Sequence, residues 1–325
     1  MGPRLAPAPL AAAAAAPVAA GTESLWVDGA LVPAGQGPGV PILAHGLQRG
    51  AAVFDVGALR PGEGGALLFR PADHVARFLR SAAIVGLEVG WTPAELLDAT
   101  VRTASAAVAA GVRTALVRWM AFVGSAEPDV VPRPGVAATV AIAVLPTDPA
   151  AARPSAVRVR VPSDVRKAGP EVFSPQAKVG ASYLGPMLAK RRARAEGYDE
   201  VVLLDREGRV AEAPTANVFA VRAGRLVTPP TERVLEGITR DSVLAIARAE
   251  GIEAGEEHLR PEELGDADEV FLTATSLPVL AVAEVNGTRM PGGAPGPLTA
   301  RMAAAVTACE RGEDPRFAAW VMPVP

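Results

Sequence analysis

One lysine in a small, apolar segment is the residue best suited to covalent chemistry in this sequence. The chain has 32 lysines and arginines in 325 residues, but only three are lysines, at positions 167, 178 and 190. Arginine keeps its proton and cannot form a Schiff base, whereas lysine can lose its proton and form one. Lys178 lies in Gln176–Tyr183, where apolar neighbours would lower the pKa of an amine. We predict that Lys178 forms a Schiff base, with a solvated lysine as the alternative, and we interpret Lys167 and Lys190 as surface residues.

Two further residues could hold the ring of a cofactor bound to this lysine. Tyr183, one of two tyrosines, follows Lys178 closely, and its hydroxyl could meet a phenolic oxygen of the ring. Glu212 lies in an otherwise apolar passage between a turn near Gly208 and a hairpin that begins at Asn217. A carboxylate there could keep a pyridine nitrogen protonated, which makes the ring an electron sink. An exposed turn residue is the alternative for Glu212.

A glycine before a predicted helix and one arginine could bind a phosphate group. Gly237 directly precedes the helix that is expected to start near Thr239. Glycine allows close approach, and the free N–H groups in the first turn of a helix attract phosphate. Thr239 could instead only cap the helix. Arg77 lies on an earlier helix with one apolar face, where a solvated arginine is the alternative.

Composition and missing motifs argue against several other classes of function. The net charge of −3 and the pI of about 5.8 give no reason to expect nucleic acid or an anionic membrane as a partner. The single cysteine, Cys309, excludes a disulfide framework, and three distant histidines have no metal-ligand spacing, so no metal is expected. The sequence lacks the phosphate-loop, serine-elbow and zinc-protease motifs. No apolar run reaches the roughly 20 residues of a membrane helix, and a cytoplasmic location is expected. Residues 1–22, rich in alanine and proline, are predicted as a disordered tail rather than a signal peptide.

Strand and helix patterns are mixed without a strict βαβ order, which favours an α+β fold of two domains. We place an N-terminal domain at 23–150, a connector at 151–168 and a C-terminal domain, which carries Lys178, at 169–325. The strongest helix start is Thr92-Pro93-Ala94-Glu95, with a threonine cap, a proline in the first position and the glutamate of a capping box. The other expected elements are hairpins at 24–33 and 217–228, strands at 50–59, 65–69, 114–123, 137–145, 157–161, 200–204, 269–273 and 279–285, and helices from about 72, at 187–196, 239–250 and 297–310.

Together, these segments resemble those of the class IV pyridoxal-phosphate aminotransferases. This group contains the branched-chain amino acid aminotransferases, the D-amino acid aminotransferases and the 4-amino-4-deoxychorismate lyases. The likeness runs from about Leu25 to Val306 and includes Ala44–Leu47, Gly50–Phe54 and Phe271–Ser276. It implies the two-domain fold of the type IV enzymes, similar to D-amino acid aminotransferase. It also implies pyridoxal 5′-phosphate as the cofactor and a homodimer or larger homo-oligomer with shared active sites.

The resemblance also implies roles for individual residues. Lys178 would bind the cofactor as a Schiff base, Tyr183 its ring oxygen and Glu212 its ring nitrogen. The phosphate would be bound by Arg77, the backbone of Ile238 and Thr239, and Thr275. The expected substrate-binding residues are Phe54, Arg49, Arg118 and Ser276. An amino acid and a 2-oxo acid would react in a ping-pong sequence with Lys178 as the general base, and the loop around Gln48-Arg49 would cross to the neighbouring active site.

The substrate positions differ from those usual in the branched-chain enzymes, although Arg118 matches. Those enzymes usually have an aromatic residue, glycine, a basic residue, tyrosine and glutamate at five positions that here are Arg49, Val56, Ala58, Leu116 and Ala216. Arg49 and Arg118 could therefore anchor a carboxylate, with ordinary surface arginines as the alternative.

Four functional hypotheses follow from these positions. A branched-chain-like aminotransferase is favoured by the overall pattern, and a transaminase for D-amino acids or R-amines by Val56 and Arg49. The third is a lyase of the aminodeoxychorismate type, which would release pyruvate without an oxo acid acceptor. The fourth is a cofactor-binding protein without turnover.

Overall fold

Two β-sheets flanked by helices form the fold, which confirms the α+β prediction. The computed structural model describes residues 24–33, 36–148, 150 and 154–325. The predicted tail at 1–22 and residues 151–153 of the predicted connector lie outside this part of the chain. None of the helices in the described part is long and apolar enough to cross a membrane.

The first sheet carries most of the N-terminal half of the chain. Its strands are β1 (Ser24–Val27), β2 (Ala30–Val32), β3 (Ala52–Gly62), β4 (Gly65–Phe69), β5 (Ala115–Phe122), β6 (Thr139–Pro146) and β16 (Val321–Val324). They pair antiparallel in the order β16-β4-β3-β5-β6-β1-β2. The short helix α1 (His45–Arg49) precedes β3, and helices α2 (Pro71–Ile84) and α3 (Pro93–Ala109) pack on one face of the sheet. As predicted, Thr92 and Glu95 form a capping box at the start of α3.

Alternation along β3 gives the two faces of this sheet different environments. Val53 is buried with Trp119 in the apolar core that the sheet shares with α2 and α3. Phe54 and Val56 point to the other face and are only half-buried. Val56 lies opposite Arg118 of β5 in the strand register. The second face is therefore the one that can meet a ligand.

The second sheet is mixed and carries the C-terminal half. Its strands are β7 (Ala156–Arg160), β8 (Glu200–Val201), β9 (Glu212–Ala213), β10 (Ala216–Arg222), β11 (Arg225–Thr228), β12 (Ala254–Glu256), β13 (Glu269–Thr273), β14 (Leu280–Val285) and β15 (Thr288–Arg289). The main order is β12-β11-β10-β13-β14-β7-β8, with β9 beside β10 and β15 beside β14. The helices are α4 (Leu184–Ala195), α5 (Ile238–Ala249), α6 (Pro261–Gly265) and α7 (Pro297–Glu310).

Strand pairing changes the domain limits that the sequence suggests. β7 lies inside the predicted connector 151–168, yet it pairs in parallel with β14 and β8 of the second sheet. β16 lies at the end of the predicted C-terminal domain 169–325, yet it pairs with β4 of the first sheet. Val324 is buried in the core of that sheet, and Trp320 packs edge-on against Phe69. We therefore propose that the second domain begins at β7 and that the last strand belongs to the first domain.

Candidate active site

Lys178 is held by backbone contacts with the first sheet and its helix. Its N–H donates to Ser81 Oγ of α2 over 3.0 Å, and its carbonyl accepts from the N–H of Phe54 over 3.1 Å. The next residue, Val179, forms an isolated antiparallel bridge with Val53. These contacts fix the backbone of the lysine, and so they limit where its amine can reach.

The amine of Lys178 faces two aromatic rings. Nζ donates to Tyr183 Oη over 2.7 Å and lies 5.0 Å from the centre of the Phe54 ring. Burial and the nearby charge of Arg77 lower the pKa of Lys178 from its ordinary value of 10.5 to about 8. Burial and the charge of Glu212 raise the pKa of Tyr183, so its hydroxyl keeps its proton. The pair thus combines an amine that readily becomes a nucleophile with a permanent hydrogen-bond donor.

Glu212, on β9, is surrounded by hydrogen-bond donors. Its Oε2 accepts from the N–H of Leu235 over 3.0 Å and from Asn217 Nδ2 over 3.2 Å. Its Oε1 lies 2.5 Å from Lys167 Nζ. Asn217 also donates to the carbonyl of Leu235, so the carboxylate is tied to the loop before α5. The interpretation of Lys167 as a surface residue is therefore wrong, because its side chain is only 18% exposed and pairs with Glu212.

The N-terminus of α5 and the guanidinium of Arg77 lie close together. Gly237 is the N-cap of α5 and has no side chain that could close the first turn. A Cβ at this position would collide with the amide oxygen of Asn217, so the close packing here requires glycine. Arg77 Nη1 donates to the carbonyl of Glu236 over 3.0 Å, which brings the guanidinium to this turn. Helix N-terminal N–H groups and arginine both attract phosphate, so these groups form an anion site.

The predicted cofactor-binding residues line a single cavity. It is lined by every residue that the sequence predicts to bind the cofactor: Arg77, Lys178, Tyr183, Glu212, Ile238, Thr239 and Thr275. Counting its open mouth, it encloses about 430 Å³ of empty space. A reactive amine, an anion site and a carboxylate thus share one pocket.

Comparison with known families decides what kind of protein has this pocket. A sequence model described as "Amino-transferase class IV" matches residues 52–285, which is most of the chain and all of the cavity. The chain belongs to the class IV aminotransferases. The family predicted from the sequence motifs is therefore confirmed.

Individual relatives of this class IV aminotransferase cover nearly its whole length. The branched-chain-amino-acid aminotransferase of Salmonella typhimurium is 32% identical over 309 residues, which are 93% of this chain and 97% of the relative. The Escherichia coli branched-chain amino acid aminotransferase gives a TM-score of 0.87 at 31% identity and covers 93% of this chain and 99% of its own. A branched-chain amino acid aminotransferase from Thermobaculum terrenum, solved in its PLP-form, gives a TM-score of 0.85 at 27% identity and covers 93% and 98%.

Pyridoxal 5′-phosphate is the cofactor of this aminotransferase, as the sequence motifs imply. The residues present fit it. Lys178 offers an amine of lowered pKa to the aldehyde, Glu212 a carboxylate to the ring nitrogen, and the uncapped first turn of α5 a cradle for the phosphate. In the described part of the chain, no group of three or more histidine, cysteine or acidic side chains is placed to hold a metal ion.

Only some of the residues predicted to bind substrate lie near the cavity. Phe54 packs against Tyr183 with ring centres 5.2 Å apart, and the Arg118 guanidinium lies 5.7 Å from the Phe54 ring. Arg118 Nε is buried and has no hydrogen-bond partner within the described part of the chain. Arg49, in the last turn of α1, and Ser276 are exposed and do not line the cavity. The structure thus brings Phe54 and Arg118 to the site, but not Arg49 or the side chain of Ser276.

Two polar residues behind the site are not among those that the sequence predicts. Lys167 pairs with Glu212, and Asp55 pairs with Arg77. Lys167 carried a usable signal, because the scarcity of lysine that singles out Lys178 applies to it equally. Asp55 also carried one, since a carboxylate on the inner face of an apolar strand must have a partner.

Proposed function

We propose that this aminotransferase moves amino groups between a branched-chain-like amino acid and a 2-oxo acid, with Lys178 at the centre of both half-reactions. The observation that carries the proposal is the amine of Lys178, 2.7 Å from Tyr183 Oη, in a cavity that also contains Glu212 and the open end of α5. The names of the relatives support the choice of donor.

Each residue of the cavity has its own task in this proposal. Bound pyridoxal 5′-phosphate supplies the electron sink for the carbanion at the substrate Cα. Lys178 Nζ, once displaced by the donor, removes the α-proton as a general base. Tyr183 and Glu212 hold the ring oxygen and ring nitrogen, and the phosphate is bound by Arg77, Ile238, Thr239 and Thr275. The two half-reactions share one site and give ping-pong kinetics.

The surface beside Lys178 supports an apolar donor side chain. In the register of β3 and β5, Val56 faces Arg118 and Ala58 faces Leu116. The part of this face next to Phe54 therefore presents Val56 and Leu116 beside the guanidinium of Arg118, whereas the next cation along β3, Arg60, is buried and paired with Glu310. A substrate with a carboxylate and an aliphatic side chain suits this surface. Val56 also favours the second candidate, a transaminase for D-amino acids or R-amines, because branched-chain enzymes usually have glycine there.

A donor screen under single-turnover conditions tests the proposed substrate class. L-Leucine or L-isoleucine is expected to bleach the visible absorbance of the bound cofactor, whereas D-alanine and R-amines leave it unchanged. The reverse pattern would establish the second candidate. Release of pyruvate without an oxo acid acceptor would show a lyase, and a band that no donor bleaches would show a cofactor-binding protein without turnover.

The lowered pKa of Lys178 predicts how cofactor loading depends on pH. Only the neutral amine attacks an aldehyde, so the rate at which the cofactor-free protein takes up pyridoxal 5′-phosphate is expected to rise with pH and level off above about 8. Below that pH the rate is expected to fall about tenfold per unit. Stopped-flow absorbance measures the rate, and a rate that still climbs near pH 10 would show an ordinary lysine instead.

Arg118 is expected to bind a carboxylate of the substrate. Arg118→Gln removes a charge-assisted hydrogen bond of about 1.5–3 kcal/mol, so kcat/KM should fall by about 10- to 100-fold. The variant should still bind the cofactor and show its visible absorbance, because Arg118 does not line the cofactor cavity. Arg102, which makes an exposed ion pair on α3, provides the matched control Arg102→Gln. Equal kinetics in the two variants would remove Arg118 from the substrate site.

Exposed apolar side chains beside the site support the predicted homodimer. They are Ile42, Leu43, Leu47, Leu184, Met187 and Leu188. Gly50 at the end of α1 packs against Ala181, so the two groups of residues adjoin. We propose that a second copy covers this surface and that Arg49 serves the partner's site. Light scattering of the unchanged protein should show a dimer or larger assembly, and the charge introduced by Met187→Lys should weaken that assembly. A monomer in both proteins would rule out the proposed interface.

A cytoplasmic location stays a prediction, which cell fractionation can test.

A further inference from the structure

Asp55 is a buried carboxylate that lies directly behind the cavity. It follows Phe54 on β3, but its side chain points to the opposite face of the sheet, where it is fully buried. Its oxygens accept from Arg77 Nε and Nη2 over 2.7 Å each. They also accept from His74 Nδ1 and from the N–H of Val56, again over 2.7 Å each. Asp55 does not line the cavity, so it cannot touch the cofactor itself.

These bonds determine which way the guanidinium of Arg77 faces. Arginine has five N–H donors in one plane. Asp55 takes two of them and the Glu236 carbonyl takes a third, at Nη1. The two donors that remain, one on each Nη, belong to a side chain that lines the cavity. A two-bond contact with a carboxylate fixes the plane of a guanidinium as well as its position, so Asp55 aims the remaining donors.

His74 supports the carboxylate from the far side. It is buried and stacks on Trp119 with an interplanar angle of 11°. Burial lowers the pKa of His74, so the ring is neutral and must carry its proton on Nδ1 to donate to Asp55. Burial opposes the ionisation of Asp55, but the charge and hydrogen bonds of Arg77, together with His74, hold the pKa of Asp55 well below its usual range. Asp55 and Arg77 therefore form a buried ion pair, and the neutral ring of His74 donates a hydrogen bond to its carboxylate.

We propose that Asp55 is a positioning residue that orients Arg77 toward the phosphate group of the bound cofactor. The inference rests on the proposed role of Arg77 as a phosphate ligand, and it adds a residue that acts on the phosphate through Arg77. Without Asp55, the guanidinium would lose two of its bonds and the counter-charge that keeps it in this apolar setting. Arg77 would then be free to turn away from the phosphate site.

Two cofactor forms that differ only in the phosphate separate this role from a structural one. The full chain, cleared of cofactor, is titrated with pyridoxal 5′-phosphate and with pyridoxal, and the visible absorbance of each complex gives its Kd. Asp55→Asn is expected to weaken binding of the phosphorylated form by about 10- to 100-fold. Binding of pyridoxal should change much less, because pyridoxal has no phosphate for Arg77 to contact and Lys178, Tyr183 and Glu212 are unaltered. Asp55→Glu, which keeps the charge, should restore part of the preference for the phosphorylated form.

A double-mutant cycle tests whether the effect passes through Arg77. The measured quantity is the Kd for pyridoxal divided by the Kd for pyridoxal 5′-phosphate, so a lower ratio means a weaker preference for the phosphorylated form. In an Arg77→Gln background, Asp55→Asn should leave this ratio unchanged, because the side chain through which Asp55 acts is absent. Should Asp55→Asn fail to fold, Asp55→Glu replaces it, and its displaced carboxylate should still lower the ratio selectively. Equal losses for both cofactor forms would show a merely structural residue and overturn the inference.

The outcomes also separate this inference from the proposed function. If Arg77→Gln lowers the ratio but Asp55→Asn and Asp55→Glu do not, the phosphate role of Arg77 stands and the role of Asp55 is rejected. If Arg77→Gln itself leaves the ratio unchanged, Arg77 is not the phosphate ligand, and both assignments are rejected.

Discussion

Replacement of Lys178 by alanine is expected to abolish amino transfer in a protein that still folds. The lost general base alone accounts for a decrease of about 10²- to 10⁴-fold, and the covalent bond to the cofactor is lost with it. The backbone contacts of Lys178 with Ser81 and Phe54 do not involve its side chain, so the surrounding structure should persist. Steady-state kinetics and the visible absorbance of the protein measure both effects.

Two matched variants show whether the amine, rather than the charge, matters. Lys178→Arg keeps a cation at this position but cannot form a Schiff base, so it should be as inactive as Lys178→Ala. Lys190→Arg changes a lysine that pairs with Glu200 outside the cavity, and it should remain active. Borohydride reduction followed by peptide mapping should place the cofactor on Lys178. Label on Lys167 or Lys190, or turnover by Lys178→Ala, would contradict the proposal.

The sequence predicts most of the cofactor site because its chemistry follows local patterns. Several cofactor residues lie in short segments with their own signatures, such as glycine before a helix at Gly237 or a carboxylate in an apolar passage at Glu212. Arg77 and Thr275 have no such signature, and only the family resemblance predicts their roles. The hairpin at 217–228 and the capping box at Thr92 are equally local, and both form as predicted. Family resemblance then supplied the order in which the segments combine, which no single segment contains.

The rest depends on contacts between residues that are distant along the chain. β16 pairs with β4, which lies near the other end of the sequence, and no local pattern in Val321–Val324 predicts this pairing. Lys167 and Glu212 are also far apart along the chain. The scarcity of lysine draws attention to Lys167, but it does not predict which carboxylate pairs with this residue. Such pairings follow from topology, and the strand order was not predicted.

A single chain defines the substrate-binding residues less completely than the cofactor-binding residues, and the reason is physical. The cofactor meets groups that one chain supplies, and they line one cavity. Arg49 instead lies exposed at the end of α1, beside the apolar surface that we propose a second copy covers. Under that proposal, part of the substrate pocket is completed only in the assembly, so a single chain cannot display it.

Glu212→Gln is expected to reduce kcat by about 100- to 1000-fold, which is typical when one preorganised electrostatic contact is removed. Glutamine still accepts hydrogen bonds from Leu235 and Asn217, but it lacks the charge that favours a proton on the ring nitrogen. The ammonium of Lys167 would remain beside the site without its counter-ion and would disfavour that proton further. Lys178 and the phosphate site are unaltered, so the variant should still bind the cofactor, as its visible absorbance would show.

The chain contains a closely matched control for this loss of charge. Glu200 pairs with Lys190 over 2.5 Å, the same distance as between Glu212 and Lys167, but it lies outside the cavity. Glu200→Gln therefore removes an equivalent lysine–glutamate pair without touching the cofactor, and its kcat should stay close to that of the unchanged protein. If the two variants lost activity equally, the effect of Glu212→Gln would be one of stability. A selective loss in Glu212→Gln, relieved in part by Lys167→Met, would show that the charge balance at the ring nitrogen controls the rate.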